Sequence, residues 1–100
     1  MADAMTDETR KAVLARINGR VQGVWYRGWT VETARALGLS GWVRNRADGS
    51  VEALFAGPEG AVDRMLAACQ DGPSSARVSG VTVSAADDPG PGGFEQRATA

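Results

Sequence analysis

Arg27 follows the run Gly19-Arg20-Val21-Gln22-Gly23-Val24 by three residues, and Asn45 closes the run Gly41-Trp42-Val43-Arg44-Asn45. Two glycines framing a short loop let consecutive backbone N–H groups converge on one point. A helix beginning near Tyr26 aims its positive end at the same place. Such a cradle suits an anion with several oxygens. One helical turn beyond the glycines, a planar guanidinium at Arg27 can grip two oxygens of a phosphoryl group while the amides take the others. Asn45 suits either a turn, where asparagine is common for local backbone reasons, or the holding of a water molecule. Beside a phosphoryl dianion a carboxylate base would repel the substrate, whereas a neutral amide positions water without adding charge.

What the chain lacks narrows the chemistry. It has no histidine, and its single cysteine, Cys69, lies eight residues before Arg77, away from the Cys-x5-Arg spacing of thiol phosphatases. The usual nucleophiles of covalent phosphoenzyme routes are therefore missing. No His/Cys/Asp/Glu group stands at metal-ligand spacing, and Asp87-Asp88 in a Pro/Gly stretch is a poor substitute. The expected reaction uses no metal and no cofactor. An acyl phosphate suits so sparse a set of groups, because its carboxylate leaving group departs without a general acid.

These residues resemble the acylphosphatase family. Gly19, Val21, Gln22, Gly23, Val24, Arg27 and Thr30 fall on the family pattern Gly-x-Val-Gln-Gly-Val-x-Phe-Arg-x-x-Thr, with Tyr26 in place of the usual Phe. Ala34, Leu37-Gly38-Leu39, Gly41 to Asn45 and Asp48-Gly49-Ser50-Val51-Glu52 follow at the family's spacing, and the likeness runs from Ala12 to about Val83. The resemblance implies hydrolysis of the carboxyl-phosphate bond of acyl phosphates, with inorganic phosphate as product. It implies that Arg27 binds the substrate phosphate with the loop Arg20, Val21, Gln22, Gly23 and Val24, and that Asn45 positions water. Arg20 is expected to give only electrostatic help. Ser50 stands where the family has Thr or Ser, and its hydroxyl is expected to support Asn45 or the water. Arg44 and Arg46 are read as surface charges.

The elements that must position these residues follow from pattern. Val13, Ala15 and Ile17 alternate with Leu14 and Arg16 as a strand that Asn18-Gly19 breaks. Tyr26, Thr30, Thr33, Ala34 and Leu37 recur at helical spacing before Gly38. Leu39 to Asn45 and Ser50 to Gly57 are strand-like and joined through Asp48-Gly49, a dipeptide suited to the positive φ angles of a tight hairpin. Pro58 at the first helical position, an apolar face of Val62, Met65, Leu66 and Cys69, and Gly72-Pro73 as a stop define a second helix. Ala76 to Ala85 reads as a strand, Asp87 to Gly93 as a flexible linker, and Phe94 to Ala98 as a possible edge strand. The order β-α-β-β-α-β is that of an α+β, ferredoxin-like sandwich: a four-stranded antiparallel sheet with two helices on one face and a possible short fifth strand. Trp25, Trp29 and Trp42 are expected as core or rim residues.

The 100 residues suit one domain, residues 11–100, behind a disordered polar extension, residues 1–10. The hydrophobic fraction of 43% and formal net charge of -1 point to an ordinary globular protein and to no particular partner. Charge is uneven, however: between residues 16 and 46, Arg16, Arg20, Arg27, Arg35, Arg44 and Arg46 meet only Glu32, a local field that attracts a small anion. The expected setting is a cytoplasmic monomer with no membrane and no nucleic-acid partner. Two rivals use the same loop differently. One is a non-catalytic ferredoxin-like module that binds a phosphorylated or carbamoylated ligand. The other is a sheet-based RNA binder, for which the aromatic RNP signature is missing.

Overall fold

A computed structural model describes residues 9–100; the expected extension lies, but for Thr9 and Arg10, outside the described residues. The elements are β1 (Arg10–Arg20), α1 (Tyr26–Ala36), β2 (Ser40–Asn45), β3 (Val51–Pro58), α2 (Glu59–Cys69), β4 (Arg77–Ala85) and β5 (Phe94–Gln96). The expected order holds, and the sheet runs β4-β1-β3-β2-β5. Its first four strands pair antiparallel, whereas β5 pairs parallel to β2, with Gly41 opposite Phe94 and Val43 opposite Gln96. The sheet is thus five-stranded and mixed, the short fifth strand being real.

Strand alternation divides the residues between two faces. Val13, Ala15, Ile17, Val43, Val51, Ala53 and Phe55 point to one side and are buried. Against them α1 packs over β2 and β5, and α2 over β1 and β3. Tyr26, Thr30 and Ala34 from α1 and Ala61, Val62, Met65 and Cys69 from α2 complete this layer. Tyr26 does more than the expected aromatic, because its hydroxyl donates to the Cys69 carbonyl at 2.7 Å and ties the start of α1 to the end of α2. Burial pushes the Tyr26 phenol far above its ordinary range and the Cys69 thiol up to about 11, which leaves both protonated at neutral pH.

Several boundaries differ from expectation for local reasons. The Thr9 carbonyl accepts from the Glu59 N–H at 3.0 Å, which draws the fold's start back to this residue. Pro58 is not the first helical residue: at ψ 137° it ends β3 and caps α2 from outside. The hairpin is wider than a two-residue turn, with the Arg46 N–H bonded to the Ser50 carbonyl and only Gly49 at positive φ. Asp48 instead accepts from the Ser50 N–H, closing an Asx turn. The Pro/Gly linker is strapped down: Asp88 takes two hydrogen bonds from Arg10, and the Gly90 and Gly93 carbonyls accept from Ser40 Oγ and the Gly41 N–H. Composition gave no sign of these long-range partners.

Candidate active site

The loop between β1 and α1 leads from a bulge at Asn18/Gly19 into the helix start. Within it Gly23 (φ 75°) and Trp25 (φ 66°) are left-handed and Val24 between them is not, an alternation that turns successive N–H groups to one side as an anion nest. The first helical hydrogen bond runs from the Trp29 N–H to the Trp25 carbonyl at 3.0 Å. Among the described residues, no protein acceptor meets the N–H groups of residues 23–28. These donors and the positive end of α1 define the expected cradle. Left-handed backbone is cheap at Gly23 but costs a tryptophan about 1–2 kcal/mol.

Beside the cradle lies a cavity of about 140 Å³ lined by Val21, Gly23, Trp25, Tyr26, Arg27, Gly28, Asn45 and Gln96. Arg27 and Asn45, 18 positions apart in the chain, therefore share one cavity with the loop. The Arg27 guanidinium makes one hydrogen bond among the described residues, a long 3.5 Å bond to the Arg97 carbonyl, and its remaining donors are available to a ligand. The Asn45 side-chain amide has no protein partner among the described residues. Its backbone is held firmly: β2 pairs it with Val51, and its carbonyl accepts from the Ala100 N–H at 3.0 Å. No lining residue is a carboxylate or an imidazole, and the Tyr26 hydroxyl is occupied by Cys69.

The other expected site residues divide. Gln22 does not turn its side chain to the cavity; its amide donates at 2.8 Å to both the Arg46 and Ser50 carbonyls and fastens the loop to the β2–β3 hairpin. Val21 lines the cavity from a buried position, while Val24 packs half-buried against the core. Arg20 is exposed at the end of β1, opposite Arg77 and outside the cavity lining. Ser50 is buried, and its hydroxyl donates to Asp48 Oδ1 at 2.6 Å rather than to Asn45. That bond and the Ser50 N–H hold the Asp48 carboxyl below its usual range.

Sequence reading put Gln96 and Arg97 in a possible edge strand but gave neither a place at the site. Gln96 comes from β5, and the Arg97 N–H continues the edge by donating to the Val43 carbonyl at 2.8 Å. The only sequence signal was the isolated Phe94, which is buried and stacks on Phe55 at 5.6 Å. The tryptophans, expected as core or rim residues, are all outside the fully buried core. Trp29 is half-buried against Tyr26, Trp42 lies on the open sheet face between Arg44 and Arg97, and Trp25 stands at the cavity mouth.

The class these features define is a small α+β domain, a split β-α-β sandwich in which an amide nest, a guanidinium with donors to spare and an unpartnered carboxamide share one cavity suited to an anion. The family model for acylphosphatase matches residues 13–96. An acylphosphatase of Rhodospirillum rubrum is 64% identical over 87 residues, covering 87% of this chain and 96% of that protein. The crystal structure of acylphosphatase from Bacillus subtilis superposes with a TM-score of 0.84 at 32% identity, covering 89% of this chain and 99% of the other. An acylphosphatase structure from Coxiella burnetii gives a TM-score of 0.84 at 28% identity, over 88% of this chain and 93% of the other. The chain belongs to the acylphosphatase family.

Proposed function

We propose that this chain hydrolyses acyl phosphates by direct attack of water on phosphorus, with Arg27 and the loop amides holding the phosphoryl group and Asn45 holding the water. The activity follows from the family; the residue roles rest on one observation, that the Arg27 and Asn45 side chains and the unpaired amides of residues 23–28 meet at one cavity whose lining carries no base. The guanidinium and amides carry negative charge on the equatorial oxygens as the P–O bond to the acyl group breaks and the bond to water forms. The leaving carboxylate is a weak base and needs no proton. The proton of the attacking water passes to a phosphoryl oxygen, the acceptor nearest to it in such a cavity.

Gln22 and Ser50 enter as positioning residues, one fastening the loop to the hairpin and the other fixing the turn after Asn45. Arg20 contributes field only. A cytoplasmic setting is in keeping with a single, buried cysteine. No helix among the described residues is long and apolar enough to cross a membrane.

Hydrolysis of benzoyl phosphate in EDTA, with Arg27→Ala and Asn45→Ala compared after circular dichroism confirms folding, tests these roles. Each variant is expected to lose about 10²-fold or more in kcat. Full turnover by folded Asn45→Ala would remove the water-holding role, and phosphate binding without hydrolysis by the unaltered protein would favour the ligand-binding module.

A further inference from the structure

Trp25 is in the left-handed region, and among the described residues no other non-glycine residue has positive φ. The cradle needs that backbone conformation but not that side chain, since glycine would adopt it without strain, as Gly23 does two residues earlier. Packing does not account for the indole either. Trp25 is 58% exposed and stands outside the hydrophobic core. The indole lies down across Gly28: a methyl group there would overlap Trp25 Nε1 and come within 2.7 Å of Cδ1. Absence of a side chain at position 28 therefore keeps the ring against the first turn of α1, at the mouth of the cavity that holds Arg27 and Asn45.

Resting on the acyl-phosphate reading of this site, we infer that the Trp25 indole is the platform for the acyl group and gives the enzyme a preference for flat, apolar acyl phosphates. A phosphoryl group seated on the amides of residues 23–28 must direct its acyl substituent out through the mouth. The large apolar surface waiting there is the indole. An aromatic acyl group stacks on such a surface and removes it from water, whereas an acetyl group covers little of it.

The test is the ratio of kcat/KM for benzoyl phosphate to that for acetyl phosphate, in the unaltered protein and in Trp25→Ala, Trp25→Phe and Gly28→Ala. The ratio is expected to fall about tenfold in Trp25→Ala and to recover most of its value in Trp25→Phe. Gly28→Ala keeps the indole but pushes it off the helix, and alanine is favoured over glycine inside a helix, so this variant folds and still loses selectivity. A role confined to loop structure would lower both substrates alike. An unchanged ratio in folded Trp25→Ala and Gly28→Ala would overturn the inference while leaving the activity intact. An unaltered protein that hydrolyses neither substrate would overturn the activity and the inference together.

Discussion

Neighbouring residues of β2 serve two regions of opposite character. Asn45 faces the cavity, where its side chain and Arg27 are left with hydrogen-bonding capacity to spare. Arg44, one residue earlier, faces the open side of the sheet, where ion pairs gather. There Glu52 on β3 sits between Arg16 on β1 and Arg44 on β2, directly opposite each in register. The Glu52 carboxylate takes bonds from Arg44 at 2.8 Å and Arg46 at 3.2 Å, with Arg16 at 3.7 Å. It is only 5% exposed, and burial alone would raise its pKa; the hydrogen bonds and charges of Arg44 and Arg46 outweigh that and hold it below the usual value. Arginine thus has two uses in the same small domain. Paired, it closes a polar cluster over the strands; unpaired beside an amide nest, it makes a site.

The sharpest way to break this contrast is to remove one arginine from each region. Arg27→Ala is expected to cost about 10²-fold or more in kcat/KM for benzoyl phosphate, whereas Arg44→Ala changes it by about threefold or less and is felt in stability. Equal losses of activity would erase the distinction. Next in size is the edge that holds Asn45: ending the chain after Gln96 removes the bonds from Arg97 to Val43 and from Ala100 to Asn45. That change also removes the Arg97 carbonyl that Arg27 touches, and should lower kcat/KM about tenfold, since a small misplacement of a positioning group is costly.

Smaller effects belong to the paired region. Glu52→Gln keeps the shape but loses the charge, and urea denaturation should report a loss of about 1–2 kcal/mol with kcat nearly unchanged. Smallest is the pH response. Glu52 and Asp48 both have folded pKa values below their ordinary ones, so the unfolded chain binds protons more readily in acid. Their contribution is complete above about pH 5 and is lost as pH falls through the folded pKa values. With no histidine in the chain, the denaturation midpoint should be flat from about pH 5.5 to 8 and decline in acid, less steeply in Glu52→Gln. A midpoint that rises in acid would contradict the sign.

Much of this was legible in sequence because its causes are local. Apolar alternation marks β1, helical spacing marks α1 and α2, and the glycines and Arg27 lie within one short run, so chain geometry alone brings them together. Asn45 was legible through the motif it closes. Gln22 was legible as a loop residue, yet its actual work, two bonds across to the hairpin, depends on residues 24 and 28 positions away. Glu52 was seen only as part of a motif, because a buried carboxylate is recognisable only once strands on either side supply its arginines. β5 was read weakly for a similar reason: three residues have too little pattern, and the strand exists through pairing with β2 and the burial of Phe94.

The sequence by itself determined the order of elements, the glycine loop that leads into Arg27, the motif that ends at Asn45, and the family, since each depends on residue types at short, fixed spacing. Tertiary structure decided which arginines pair with Glu52, where Gln96 and Trp25 stand, and how Arg97 and Ala100 hold the edge beside Asn45. Those outcomes depend on strand register and on contacts between distant segments. No local propensity encodes them, because burial and partner geometry arise only when the sheet and helices close together.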